Sequence, residues 1–149
     1  MELLWEQGDT NMAQVLVVDD DQYIREILRI LLTAEGYDVT IASTGPEALG
    51  VINSASIDLV ISDIRMNPMS GVELLRNIRD ITKELPVIML TAYGSPETAR
   101  EASALGAFDY LSKPFTPEEV LETIEAALAP DSTPRNFMPA GSPAGEPQG

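Results

Sequence analysis

Four short apolar runs in this 149-residue chain lead into residues that can do chemistry. Val15-Leu16-Val17-Val18 is followed by Asp19, Asp20 and Asp21. Leu59-Val60-Ile61 leads to Asp63, Val87-Ile88-Met89-Leu90 leads to Thr91, and the stretch from Phe108 to Leu111 leads to Lys113, with Pro114 behind it. Adjacent acids repel one another unless a cation answers them. An acidic pair with a third carboxylate suits a hard cation, and Mg²⁺ commonly takes one or two carboxylates together with a phosphate. The lysine supplies positive charge for a phosphoryl oxygen, and the threonine hydroxyl can donate to another. There is no Walker motif and no G-x-G-x-x-G, which argues against a nucleotide. A carboxylate nucleophile that receives a phosphoryl group beside a metal fits these residue types better.

Each residue also has a plainer reading. Asp21 stands before a helix and reads as its N-cap. Asp63 could cap a turn, Thr91 could be an ordinary strand end, and Lys113 a surface lysine. Their common placement is what the plain readings leave unexplained. All follow strands, and open α/β sheets bind ligands beyond the carboxyl ends of their strands.

The elements that must position them alternate regularly. Val15–Val18 and 59–61 are continuous apolar runs, as expected for strands buried on both faces. Tyr37 to Ala42 reads as a further strand, as do Val87 to Leu90 and Phe108 to Leu111. Ile24, Ile27, Leu28 and Leu31 recur at helical spacing before Gly36, and Pro46 to Asn53 reads as a helix capped by Thr44. Leu74, Leu75, Ile78 and Ile81 mark one face of a helix over Gly71 to Lys83. Ser95 and Pro96 open a helix that stops near Gly106. Thr116, Pro117 and Glu119 form the opening of a last helix, with Val120, Leu121, Ile124 and Leu128 inward. Five βα units predict an α/β fold with a five-stranded parallel sheet, doubly wound as (βα)5.

Composition excludes other chemistry. No cysteine means no thiolate nucleophile and no disulfide, and no histidine means no imidazole base and no phosphohistidine. With 9 Lys and Arg against 24 Asp and Glu, the net charge of −15 disfavours nucleic acid and anionic lipid, and no basic cluster offsets it. No apolar run approaches the roughly 20 residues that span a bilayer. Residues 1–13 form a short acidic lead, in which Met12 is a candidate start and Leu3-Leu4-Trp5 an odd apolar patch. Residues 14–129 carry the periodic pattern. Residues 130–149 hold five prolines, three glycines and two serines and read as a flexible tail.

The runs VLVVDDD (15–21), SDIRMNPMSG (62–71), LTAYG (90–94) and YLSKPF (110–115) resemble response-regulator receiver domains, the CheY-like family of two-component signalling. The stretch TAYGSPETAREASALGAFDYLSKPF (91–115) is most similar to receivers of NtrC-type regulators. The resemblance implies a flavodoxin-like, CheY-like sheet of strand order 2-1-3-4-5. It implies Asp63 as phosphoacceptor, Asp19 and Asp20 as the acidic pair holding Mg²⁺, and the Arg65 backbone carbonyl as a further metal ligand. Thr91 becomes the switch hydroxyl, Lys113 the phosphoryl-pairing lysine, Pro114 the proline after a cis bond and Tyr110 the aromatic switch. One departure is visible: Met66 is followed by Asn67, with Pro68 one residue later than in many receivers. Gly71 keeps its usual distance from Asp63.

The implied protein is cytoplasmic and not a turnover enzyme. It accepts phosphate from a histidine kinase or phosphotransfer protein and signals to a downstream protein through a face over residues 95–129. It binds no nucleic acid by itself and no membrane, and is a monomer or a weak phosphorylation-dependent homodimer. Two alternatives compete: the receiver part of a transcription regulator whose DNA-binding part lies outside this sequence, and a Mg²⁺-dependent phosphatase-like enzyme forming an aspartyl-phosphate. Such enzymes usually carry Asp-x-Asp, and here the third position is Arg65.

Overall fold

The computed structural model describes residues 13–92 and 95–134. Strands β1 (Gln14–Val18), β2 (Asp38–Ala42), β3 (Leu59–Asp63), β4 (Val87–Thr91) and β5 (Asp109–Ser112) alternate with helices α1 (Gln22–Ala34), α2 (Gly45–Ser54), α3 (Gly71–Ile81), α4 (Pro96–Ala104) and α5 (Pro117–Leu128). All strand pairs are parallel, in the order β2-β1-β3-β4-β5. Every residue of β3 and β4 is buried, as the unbroken apolar runs require, whereas the edge strands β2 and β5 are only partly covered.

The two faces divide the core by strand alternation. Val15, Val17, Leu59, Ile61, Ile88 and Leu90 pack with Leu28 and Leu32 of α1 and Val120 and Ile124 of α5. Leu16, Val18, Val60 and Met89 pack with α3 residues Leu74, Leu75 and Ile78, Ala48 of α2 and Ala102 of α4. The helix stops and starts follow the expected chemistry. Asp21, Thr44, Ser70, Ser95 and Thr116 cap their helices, and Ser70–Glu73 and Thr116–Glu119 complete capping boxes.

Two strand starts, the end of α3 (Ile81 rather than Lys83) and one side chain differ from the sequence expectation. Tyr37 lies outside β2 because its N–H completes the C-terminal turn of α1 by donating to Leu32, with Gly36 at φ 95°. Phe108 precedes β5, which runs instead to Ser112. Ile81 is 47% exposed rather than inward, since it sits in the last turn of α3, next to the C-cap Thr82. The acidic lead through Met12, the tail beyond Pro134, and Tyr93 and Gly94 of the LTAYG run lie outside the described residues.

Arg79 ties the far end of this framework together. Its half-buried guanidinium donates to the carbonyls of Leu105 (2.8 Å), Gly106 (3.0 Å), Leu85 (2.9 Å) and, more weakly, Thr82 (3.4 Å). It thus joins the end of α3, the α4–β5 turn and the approach to β4. Arg79→Ala leaves carbonyls without their charged donor and is expected to cost about 2–3 kcal/mol in chemical denaturation. Arg79→Lys should restore little, because an ammonium lacks the planar fork that reaches several carbonyls at once. Equal stability of all three proteins in urea would contradict this role.

Candidate functional site

The parallel register brings the carboxyl ends of β1, β3, β4 and β5 to one edge of the sheet. Val18 lies opposite Ser62, Asp63 opposite Leu90, and Thr91 opposite Ser112. The residue after each of β1 and β5, and the last residue of β3 and of β4, therefore form one cluster. Asp19, Asp20 and Asp63 each offer a carboxylate oxygen, and these oxygens lie within 4.8 Å of one another. Asp19 is fully buried and Asp63 nearly so, while Asp20 is exposed. Asp21 takes no part in this cluster. Its side chain caps α1 by accepting from the Tyr23 N–H (2.9 Å).

Lys113 answers the buried carboxylates. Its Nζ donates to Asp19 Oδ2 at 2.9 Å and to Asp63 Oδ1 at 3.2 Å. Burial alone would pull the ammonium pKa down, but the hydrogen bond and charge of Asp19, with those of Asp63, hold it above the usual lysine value. Asp63 also titrates above the ordinary carboxylate range. An ion pair by itself would lower it, yet burial first and the Asp19 charge second outweigh the attraction of Lys113, and Asp20 adds a smaller repulsion. The pocket is short of positive charge, and three oxygen ligands around it suit a hard divalent cation.

The other candidates occupy related positions. Thr91 is buried at the end of β4, and its carbonyl accepts the Lys113 N–H at 2.8 Å, so the two residues are tied through the backbone. Tyr110 lies opposite Met89 in β5, two residues short of the Thr91–Ser112 pair. Its hydroxyl is buried, and burial raises its pKa. Arg65 follows Asp63 by two residues in the loop before α3, with its side chain exposed. Lys113–Pro114 is cis, as the resemblance implied, and so is Asn67–Pro68 at the one place where the motif departs.

Three residues outside the candidate set hold the backbone of the site. Ser62 Oγ donates to the Asp63 carbonyl at 2.9 Å. Gly71 packs against that same carbonyl, and its N–H donates to Ile64 at 2.7 Å. Arg25 Nη1 donates to the Asp19 carbonyl at 2.8 Å. A cavity of about 750 Å³ lined by Tyr37, Arg79, Phe108 and Leu128 opens at the opposite edge and includes none of the site residues.

Comparison with known proteins shows the family and the fold. Residues 15–125 match the response regulator receiver domain, and the chain belongs to that family. It is 42% identical over 116 residues to the transcriptional regulatory protein GlrR of Escherichia coli K12, a match covering 78% of this chain and 26% of the relative. It is 40% identical over 130 residues to ZraR of Salmonella typhimurium, covering 87% of this chain and 30% of that protein. The chain thus spans about a quarter to a third of the length of these relatives. Among solved structures, the chemotaxis protein CheY4 of Vibrio cholerae is similar with a TM-score of 0.76 and 41% identity, covering 78% of this chain and 99% of that one. The Thermotoga maritima response regulator TrrA, solved in complex with Mg²⁺–BeF, gives a TM-score of 0.73 and 39% identity, covering 78% and 100%. The chain is a receiver of two-component signalling. Among the described residues no helix is long and apolar enough to cross a membrane.

Proposed function

We propose that Asp63 accepts a phosphoryl group from a phosphohistidine of a partner kinase or phosphotransfer protein. A carboxylate oxygen of Asp63 attacks phosphorus, the P–N bond breaks, the imidazole leaves, and an acyl phosphate remains. The observation that carries this reading is the convergence of Asp19, Asp20 and Asp63 within 4.8 Å beneath the bridging ammonium of Lys113. Those carboxylates and the Arg65 carbonyl would hold Mg²⁺. When bound, Mg²⁺ supplies the charge neutralisation that lets an anion approach an acidic pocket. Lys113 pairs with a phosphoryl oxygen, and Thr91 donates its hydroxyl to another.

The acquired group adds about −1.5 to −2 charge at neutral pH. It favours the arrangement in which Thr91 and Lys113 both reach it. The backbone bond between these residues supports transmission into β5, and Tyr110 is the ring positioned to report it. The receiving surface is the α4–β5–α5 face, over residues 95–129, within a receiver unit of residues 14–129. Its target is a downstream protein, separate or in the same polypeptide.

Labelling with acetyl phosphate tests the reading. The protein should gain a phosphoryl group by intact mass in millimolar Mg²⁺ and none in chelator. Mg²⁺ at ten times its dissociation constant should stabilise the fold by about 1.4 kcal/mol, raising the melting temperature by roughly 4–8 °C. Asp20→Ala should remove most of both responses. Labelling that proceeds equally in chelator would sink the proposal.

A further inference from the structure

We infer that Arg25 is a positioning residue for the acidic pocket: by holding the Asp19 carbonyl it fixes the peptide that carries Asp20, and so keeps the Asp20 carboxylate at the metal position. The inference rests on the pocket being a Mg²⁺ site.

Asp19 does not need Arg25 for its own side chain. Its N–H donates to Ala42 (3.2 Å), its Oδ2 accepts from Lys113 (2.9 Å), and its Oδ1 accepts from the Asp21 N–H (2.9 Å). Asp20 is the opposite case. It is exposed, and no side-chain hydrogen bond or ion pair among the described residues holds its carboxylate. Its placement therefore depends on the backbone that delivers it. The Asp19 carbonyl oxygen and the Asp20 nitrogen share one rigid peptide plane. Pinning that oxygen sets the direction from which the Asp20 Cα and side chain depart. Arg25 Nη1 supplies the pin at 2.8 Å.

Helix stability gives no reason for a cation at this position. Arg25 lies near the N-terminal end of α1, where a positive charge opposes the helix dipole. Nor does it belong to the ion pairs formed among the described residues. Its observed bond is to the backbone of the acidic pair.

The test is a Mg²⁺ titration followed by backbone amide NMR, for the wild type and for Arg25→Ala, Arg25→Lys and Arg25→Gln. Removing an outer partner of a metal ligand typically weakens affinity about 10–100-fold, and Arg25→Ala should do so. Arg25→Lys should recover part of the loss, since one ammonium donor can reach one carbonyl. Arg25→Gln, neutral and two bonds shorter, should lose about as much as Ala. Melting without Mg²⁺ should change little, because loss of the bond to the Asp19 carbonyl is offset by removal of a charge that opposes the helix dipole. Wild-type affinity in Arg25→Ala overturns the inference and leaves the metal site standing. A wild type that shows no Mg²⁺-dependent shifts overturns the site reading, and this inference with it. Loss of dispersed amide signals in all three variants would also overturn it, by showing a general structural role.

Discussion

Asp63→Asn is expected to abolish phosphoryl uptake from acetyl phosphate and, at neutral pH without metal, to melt at a higher temperature than the wild type. The first effect follows from chemistry: the amide cannot form the acyl phosphate, so labelling should fall to background. The second follows from electrostatics. Burial and the neighbouring Asp19 charge raise the Asp63 pKa despite the Lys113 contact. The folded protein then binds this proton more tightly than the unfolded chain does. Stability falls as pH rises from the ordinary carboxylate range through the raised value, and stays lowered at neutral pH. The neutral amide escapes that loss, so its advantage should shrink in acid. Lys113 does not blur the comparison. Its pKa is held above the lysine value, so its contribution is lost only in alkali, and it keeps Asp19 as partner in the variant. Intact mass and melting curves between acid and neutral pH measure both effects. Phosphorylation of the Asn variant at the wild-type rate refutes the acceptor assignment, and a lower melting temperature at neutral pH refutes the electrostatic account.

Gly71→Ala should damage both the fold and the site. A Cβ at this position would overlap the Asp63 carbonyl oxygen and stand 2.8 Å from the Ile64 Cα and 2.9 Å from the Asp63 carbonyl carbon. All three are backbone atoms, which cannot turn aside as a flexible side chain does. The requirement here is space: α3 begins directly against the end of β3, and the Gly71 N–H bond to Ile64 holds them at that distance. Overpacking commonly costs 1–3 kcal/mol, and a backbone obstacle places this variant at about 3 kcal/mol or more. Any relief must move Asp63 relative to Asp19 and Lys113. A displacement near 1 Å at a reacting group costs on the order of 100-fold in rate. The variant should therefore unfold at lower urea and, while folded, label about 100-fold more slowly. Gly45→Ala is the informative comparison, since its Cβ would meet the Met69 side chain, which can move. If Gly71→Ala labels as fast as Gly45→Ala, the close approach is not what holds the acceptor.

Much of this architecture can be read from residue order because its signals are local. Unbroken apolar runs mark strands covered on both faces, and Asp21, Thr44, Ser95 and Thr116 each stand where a helix needs an acceptor. Asp19, Asp20, Asp63, Thr91 and Lys113 are legible as a set because charged or hydroxyl side chains end otherwise apolar runs. Arg25, Ser62 and Arg79 leave no comparable trace. Each acts on a backbone carbonyl, and a carbonyl is present at every position whatever the residue. Gly71 is visible only by its distance from Asp63, which says nothing of how little room a side chain would find there. Ile81 misleads for a related reason: periodicity marks the face of a helix but not where its last turn leaves the core.

The bond between Lys113 and Asp19 joins residues 94 positions apart, and that between Lys113 and Asp63 spans 50. Contacts at such separation are closed only after the intervening chain has paid its loop entropy. The pocket therefore cannot form on a nascent segment or on an isolated βα unit. Until β5 docks on β4, Asp19 and Asp63 share the edge of a growing sheet with no ammonium between them. The pocket is in this way a property of the whole sheet, withheld from incomplete forms of the chain by topology alone.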